Sequence, residues 1–186
     1  MDKLNLEIQK IADSLNKKPV FGKGLKNAKI LLLGEAPGSK EEETGIPFAG
    51  SAGKNLNEFL EILNITREEI YITNTVKIRP SKVNEKTGRI INRPPTEKEK
   101  SIFSDVLLRE IKLINPKIIV TLGNTALQAL LGKEAKIGDL HGSPIKKGEF
   151  NIFPLYHPAA IIYKRSLKDE YLSDLNKLKK ILDEIK

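Results

Sequence analysis

Apolar residues at Leu4, Ile8, Ile11 and Leu15 recur at the helical period with lysines between them, which predicts an amphipathic helix within residues 1–18. The pattern then changes. Ala28-Lys29-Ile30-Leu31-Leu32-Leu33 is almost continuously apolar and Gly34 ends it, the profile of a buried strand, with the turn Gly34-Glu35-Ala36-Pro37-Gly38 behind it. Leu56, Phe59, Leu60 and Leu63 share one face of a helix over residues 52–63. A second strand is expected at Ile70-Tyr71-Ile72-Thr73, a third at residues 117–122 and a fourth at residues 150–155. A short helix follows the third strand over residues 124–131, and a last amphipathic helix runs from Ser166 onward. Thr96 and Glu99 have the spacing of a capping box, which starts a helix running to about Ile114. Residues 79–96 are rich in Pro, Gly, Asn and basic side chains and read as a long loop.

Short apolar strands alternating with helices predict an α/β protein with a mostly parallel sheet between helical layers. In such sheets ligands bind beyond the carboxyl ends of the strands. Three polar segments lie there: the turn after the first strand, Asn74 after the second and His157-Pro158-Ala159-Ala160 after the fourth. They are expected to converge on one site. A length of 186 residues fits one domain, taken as residues 1–186.

Composition narrows the chemistry. The net charge of +8 suits a polyanionic partner. With no cysteine in the chain there are no disulfides, no thiolate zinc site, no all-cysteine iron–sulfur cluster and no cysteine nucleophile. His141 and His157 are the only histidines, too few for a histidine-rich metal site, and no metal or cofactor is expected. The N-terminal residues lack a signal-peptide pattern and no apolar run approaches the about 20 residues of a membrane span, so the expectation is a cytoplasmic protein without membrane association.

Each candidate motif has two readings. Residues 34–54 contain neither a dinucleotide fingerprint nor a P-loop, because Lys54 is not followed by Ser or Thr. Gly50, Ser51 and Gly53 form either an anion nest at a helix start or a plain tight connection. Asn74 either caps a turn or offers its paired donor and acceptor to a nucleobase edge. His157 either packs in a loop or donates to a developing anion, and His141 reads as a turn residue. The run from Lys40 to Glu43 reads as a solvated face. Arg79, Lys82, Lys86, Arg89 and Arg93 either track a phosphate backbone or decorate a solvated loop.

The ordered set GEAPGSKEEETGIPFAGSAG, TNTVKIRP, NRPPT and YHPAA resembles the family 4 uracil-DNA glycosylases over residues 20–180. The resemblance implies a three-layer α/β/α fold with a central four-stranded parallel sheet, in agreement with the strands read above. It implies cleavage of the N-glycosidic bond of uracil in single- or double-stranded DNA by a monomer. Phe48 then stacks on the flipped base, Asn74 reads its polar edge, His157 stabilises charge on the uracil oxygen and Glu35 orients or activates water. Ala36, Pro37, Gly38 and Glu41 complete the base site. Ser51, Lys77, Arg79, Asn92, Arg93 and Pro158 meet the DNA, and Ile161 stands where related enzymes insert an apolar wedge.

Two departures stand out. The family holds a [4Fe–4S] cluster on four cysteines, away from the uracil pocket, whereas here Ile78 and Phe103 occupy two of those positions and the N-terminal pair near residues 18–21 is missing. Apolar packing is expected in its place. The loop before Asn92 is long, and in a related group it carries a histidine that traps the abasic sugar. Asn92 stands at the matching place here, so covalent trapping is not expected. Alternatives are a glycosylase for hypoxanthine or xanthine, a non-catalytic binder of uracil-containing DNA, and a small-nucleotide enzyme.

Overall fold

The computed structural model describes residues 1–160 and 165–185. In chain order its elements are α1 (Asp2–Ser14), β1 (Lys23–Gly24), β2 (Ile30–Gly34), α2 (Ser39–Thr44), α3 (Ser51–Leu63), β3 (Tyr71–Asn74), β4 (Ser81–Val83), β5 (Ile90–Asn92), α4 (Glu97–Ile114), β6 (Ile118–Leu122), α5 (Asn124–Leu131), α6 (Ile137–Leu140), β7 (Ile145–Lys147), β8 (Phe150–Leu155) and α7 (Lys168–Ile185). The main sheet has the order β1-β3-β2-β6-β8-β7. Its centre, β3-β2-β6-β8, is parallel throughout and is the expected four-stranded core. The sheet is wider than expected, because β1 and β7 add antiparallel edges. These edges are two and three residues long and mostly polar or charged, so they carry no strand pattern.

Strand pleating divides the core into two layers. Ile30, Leu32, Val120 and Phe153 face α3 and α7, packing on Leu56, Phe59, Leu175 and Leu178. Leu31, Leu33, Ile119 and Ile152 face the other way, onto Leu107 and Ile111 of α4 and Ala126 of α5. Helices on both faces give the three-layer α/β/α architecture, and the run of apolar residues in β2 follows from burial on both sides.

Residues 79–96 are more ordered than a loop. β4 and β5 pair antiparallel, with Val83 opposite Ile90, Lys82 opposite Ile91 and Ser81 opposite Asn92. Asn84 organises the turn: its Oδ1 accepts from the backbone amides of Lys86 and Thr87, and Gly88 closes it at φ 65°. The capping box that follows is as expected, with the Glu99 amide donating to Thr96 Oγ1 and the Thr96 amide donating to Glu99 Oε2.

α1 packs across α4. Leu4, Ile8 and Ala12 form a third apolar cluster with Val76, Ile78, Phe103 and Val106. Ile78 and Phe103 are fully buried there, and the segment ahead of β1 is stitched to them by the Val20 amide, which donates to the Lys77 carbonyl. Close-packed aliphatic and aromatic side chains without a thiolate cannot ligate iron, so these residues do not fit an iron–sulfur cluster. Apolar packing fills the place instead.

Candidate active site

The carboxyl ends of β2, β3 and β8 open into one cavity of about 620 Å³, within the range of small-ligand sites. Glu35, Ala36 and Gly38 come from the turn after β2, Phe48 from the loop before α3, Asn74 from the end of β3 and His157 from beyond β8. Asn92, at the end of the β4–β5 hairpin, and Ser51, at the start of α3, stand on its rim. The expected convergence of three segments is therefore present, and the Phe48 loop, the hairpin and the turn at Gly123 and Asn124 after β6 join them.

Two glycines make the close approach possible. A Cβ at Gly34 would stand 2.4 Å from Asn74 Oδ1 and 2.7 Å from Phe48 Cζ, so only glycine lets the amide and the ring meet over the end of β2. A Cβ at Gly53 would stand 1.8 Å from the Phe48 carbonyl oxygen. Phe48 itself has φ 55°, a costly backbone for a bulky residue. Arg67 holds it there, with Nη2 donating to the carbonyls of Phe48 (3.0 Å) and Gly53 (3.2 Å) and Nε donating to Asn57 Oδ1 (2.9 Å). No sequence pattern marks Arg67, because an arginine in a charged stretch looks like any other solvated cation. The Phe48 ring lies nearly parallel to the His157 ring, 18° apart in plane with centroids 6.1 Å apart.

Asn74 is buried, and its side-chain amide bonds to none of the described residues, leaving one donor edge and one acceptor for a ligand. Glu35 Oε2 accepts from Thr125 Oγ1 at 2.6 Å, so the first residues of α5 orient the carboxylate. His157 Nδ1 accepts from the Ala159 amide at 3.2 Å, which leaves the proton of the neutral ring on Nε2. Burial pushes the imidazole below its ordinary value of 6.5, and the Glu35 carboxylate only partly opposes this. The ring is thus neutral at pH 7, a donor without a full positive charge.

Several expected contacts have other work. The Gly50 amide is taken by Glu41 Oε1 (2.9 Å) and the Gly38 amide by Glu41 Oε2 (3.0 Å). The anion in the nest is the chain's own Glu41 carboxylate, which clamps the starts of α2 and α3 together and braces the cavity wall. The Lys40–Glu43 run thus makes up most of the short helix α2, and only part of it is solvated. Pro37 and Pro158 are buried and offer no surface to DNA or base. Lys77 is wholly buried: its ammonium donates to Glu110 Oε2 (2.5 Å), Thr73 Oγ1 (2.6 Å) and the Asn74 carbonyl (2.7 Å), so it does not reach DNA. Arg79 is tied to Asn92 and Glu42, and Arg93 forks onto Glu99. Ile161 lies outside the described residues. His141 is more than a turn residue. Its Nδ1 lies 2.6 Å from Asp174 Oδ2 and its ring packs on Tyr156.

The profile of the Uracil DNA glycosylase superfamily matches residues 21–180. The chain is 38% identical over 167 residues to the Type-4 uracil-DNA glycosylase of Thermotoga maritima, covering 88% of this chain and 82% of that one. It is 36% identical over 171 residues to the Type-4 uracil-DNA glycosylase of Archaeoglobus fulgidus, covering 86% and 79%. A third such enzyme, from Sulfurisphaera tokodaii, is 37% identical over 171 residues, covering 87% and 74%.

Proposed function

The chain belongs to the uracil DNA glycosylase superfamily, and from that membership we propose that it removes uracil from DNA, leaving an abasic site in base excision repair. The observation that carries the reading is the meeting of Phe48, Asn74 and His157, from three distant segments, around one cavity with an unengaged amide.

A base stacked in DNA is out of reach, so the nucleotide is extruded at a cost of a few kcal/mol. Stacking on the Phe48 face returns about 1–3 kcal/mol. The Asn74 amide pairs its donor with the uracil O4 and its oxygen with N3–H, and cytosine presents the opposite pattern at both atoms. The N-glycosidic electrons leave with the base, and negative charge collects on O2. The His157 Nε2–H donates there, and losing such a donor typically costs about 10²–10³ in rate. Water adds to the sugar carbon and gives its proton to the Glu35 carboxylate, from which it passes to the departing uracil anion. Glu35, oriented by Thr125, stands to hold that water and to face the cationic sugar. All these groups belong to one chain, which supports action as a monomer and one domain, and the DNA substrate favours the cytoplasm. No helix among the described residues is long and apolar enough to cross a membrane.

The test is uracil release from a labelled oligonucleotide with a chelator present, read by alkaline strand cleavage. Scission at uracil, and its loss in Asn74→Ala and His157→Ala, is the expected result. An unbroken strand from both single- and double-stranded substrates overturns the reading, and preferential release of hypoxanthine reassigns the base.

A further inference from the structure

The β4–β5 hairpin carries a feature that the cavity does not use. Val83 and Ile90 are cross-strand partners, and they are 61% and 62% exposed. Side chains two apart on a strand share a face, so Ser81, Val83, Ile90 and Asn92 lie on one side of the hairpin. Asn92 lines the cavity. The paired aliphatic side chains therefore continue the cavity's wall outward. At about 3.3 Å per residue, Ile90 sits about 7 Å beyond Asn92, and the turn that Gly88 closes lies farther out.

An isolated two-stranded hairpin is marginal in water, but this one is fastened at its base. Arg79 Nε donates to Asn92 Oδ1 (2.7 Å), the Arg93 amide donates to the Pro80 carbonyl (3.1 Å) and Lys17 Nζ donates to Ser81 Oγ (3.0 Å). The arm also bears Lys82, Lys86 and Arg89, all exposed and none in an ion pair among the described residues. Glu85 is its one acidic residue. Arg79 and Arg93, by contrast, are already neutralised by Glu42 and Glu99.

We propose that this hairpin is a DNA-contacting arm. Val83 and Ile90 pack on the sugars and bases of nucleotides two or more steps from the extruded one, while Lys86 at the turn, and the long Lys82 and Arg89 side chains reaching round from the opposite face, meet the neighbouring phosphates. Apolar residues flanked by cations, on a ribbon that rises from the base pocket, match a strand whose bases are apolar on their faces and whose backbone is anionic. A second copy of this chain is a poor occupant, since two such arms and two net charges of +8 repel. The assignment rests on the glycosylase reading and adds to it the surface that engages DNA outside the pocket.

Two variants test it, Val83→Ser/Ile90→Ser and Lys82→Gln/Lys86→Gln/Arg89→Gln. The substituted side chains are exposed, and circular dichroism checks that the fold is kept. Binding is followed by fluorescence anisotropy across a salt series, and uracil release is measured on a long oligonucleotide and on a trinucleotide too short to reach the arm. The serine variant is expected to raise KM and Kd for the long substrate about tenfold, equivalent to about 1.4 kcal/mol, with kcat unchanged. The trinucleotide should be processed as by the unaltered enzyme. The glutamine variant should flatten the slope of log Kd against log salt by about 2. Unchanged KM and an unchanged slope overturn the arm. So does a shift from dimer to monomer on gel filtration of the serine variant, which reassigns the face to self-association. Failure of the unaltered protein to release uracil strikes the glycosylase reading alone, because anisotropy still reports whether the arm holds DNA.

Discussion

Replacing Glu110 with Gln isolates the most buried charge pair among the described residues. Glu110 of α4 accepts from the Tyr71 hydroxyl (2.9 Å), the Thr73 hydroxyl (3.0 Å) and the Lys77 ammonium. Both charged side chains are essentially closed to solvent, at 0% and 1%. Glutamine keeps the shape and one acceptor but leaves the Lys77 ammonium without its counter-charge, and breaking one partner of such a pair costs about 3–5 kcal/mol. For a chain of this size that lowers Tm by roughly 6–20 °C, at about 2–4 °C per kcal/mol. Urea unfolding followed by far-ultraviolet circular dichroism is the assay, since there is no tryptophan to report by fluorescence. The double variant Lys77→Met/Glu110→Leu should recover much of the loss, because neither charge is then buried. Lys77 also holds the Asn74 carbonyl, so uracil release should fall further in Lys77→Met than its stability loss accounts for. A cost below about 1 kcal/mol for Glu110→Gln, the worth of a surface pair, would refute the reasoning.

Other consequences are open to direct measurement. The uracil-release rate should hold as pH falls through the ordinary imidazole range and drop only below about 6.5, since His157 is held neutral by burial; an acid limb at or above that value contradicts this. The same depression means that the unfolded chain binds the extra proton first, so stability contributed by His157 is present above about 6.5 and declines as pH falls below it. Gly53→Ala drives a methyl into the Phe48 carbonyl and should destabilise by about 1–3 kcal/mol or more while lowering release, whereas an unperturbed Tm would show that the contact relaxes. Glu41→Gln leaves one of two backbone amides unpaired and should cost about 1–3 kcal/mol in urea unfolding, with no new dependence on the base excised.

Much of the frame was legible because burial on both faces writes an apolar run. Leu31, Leu32 and Leu33 announce β2 without help from any neighbour. Thr96 and Glu99 announce α4 because a cap is local chemistry. The edges β1 and β7 were hidden, since a short polar strand is made by the sheet beside it. At the site, the residues at strand ends could be named, but their duties depend on partners distant in sequence. Lys77 and Glu110 are 33 positions apart and Glu35 and Thr125 are 90 apart. No spacing rule joins them. Lys77, Arg79 and Arg93 looked alike as cations near a site, and only burial and pairing separate them. Pro158, adjacent to His157, is buried because the turn that aims the imidazole folds the next residue inward.

The closure of α1 over Ile78 and Phe103 bears on how the protein comes into being. Where a fold is pinned by a metal cluster, the nascent chain waits for iron, sulfide and the machinery that delivers them. Here that corner is sealed by side chains that arrive with translation, so it closes as the chain folds. With no thiol in the chain, there is also no sulfur–metal bond for peroxide to attack. A shortage of iron therefore leaves the packing of this corner as it is.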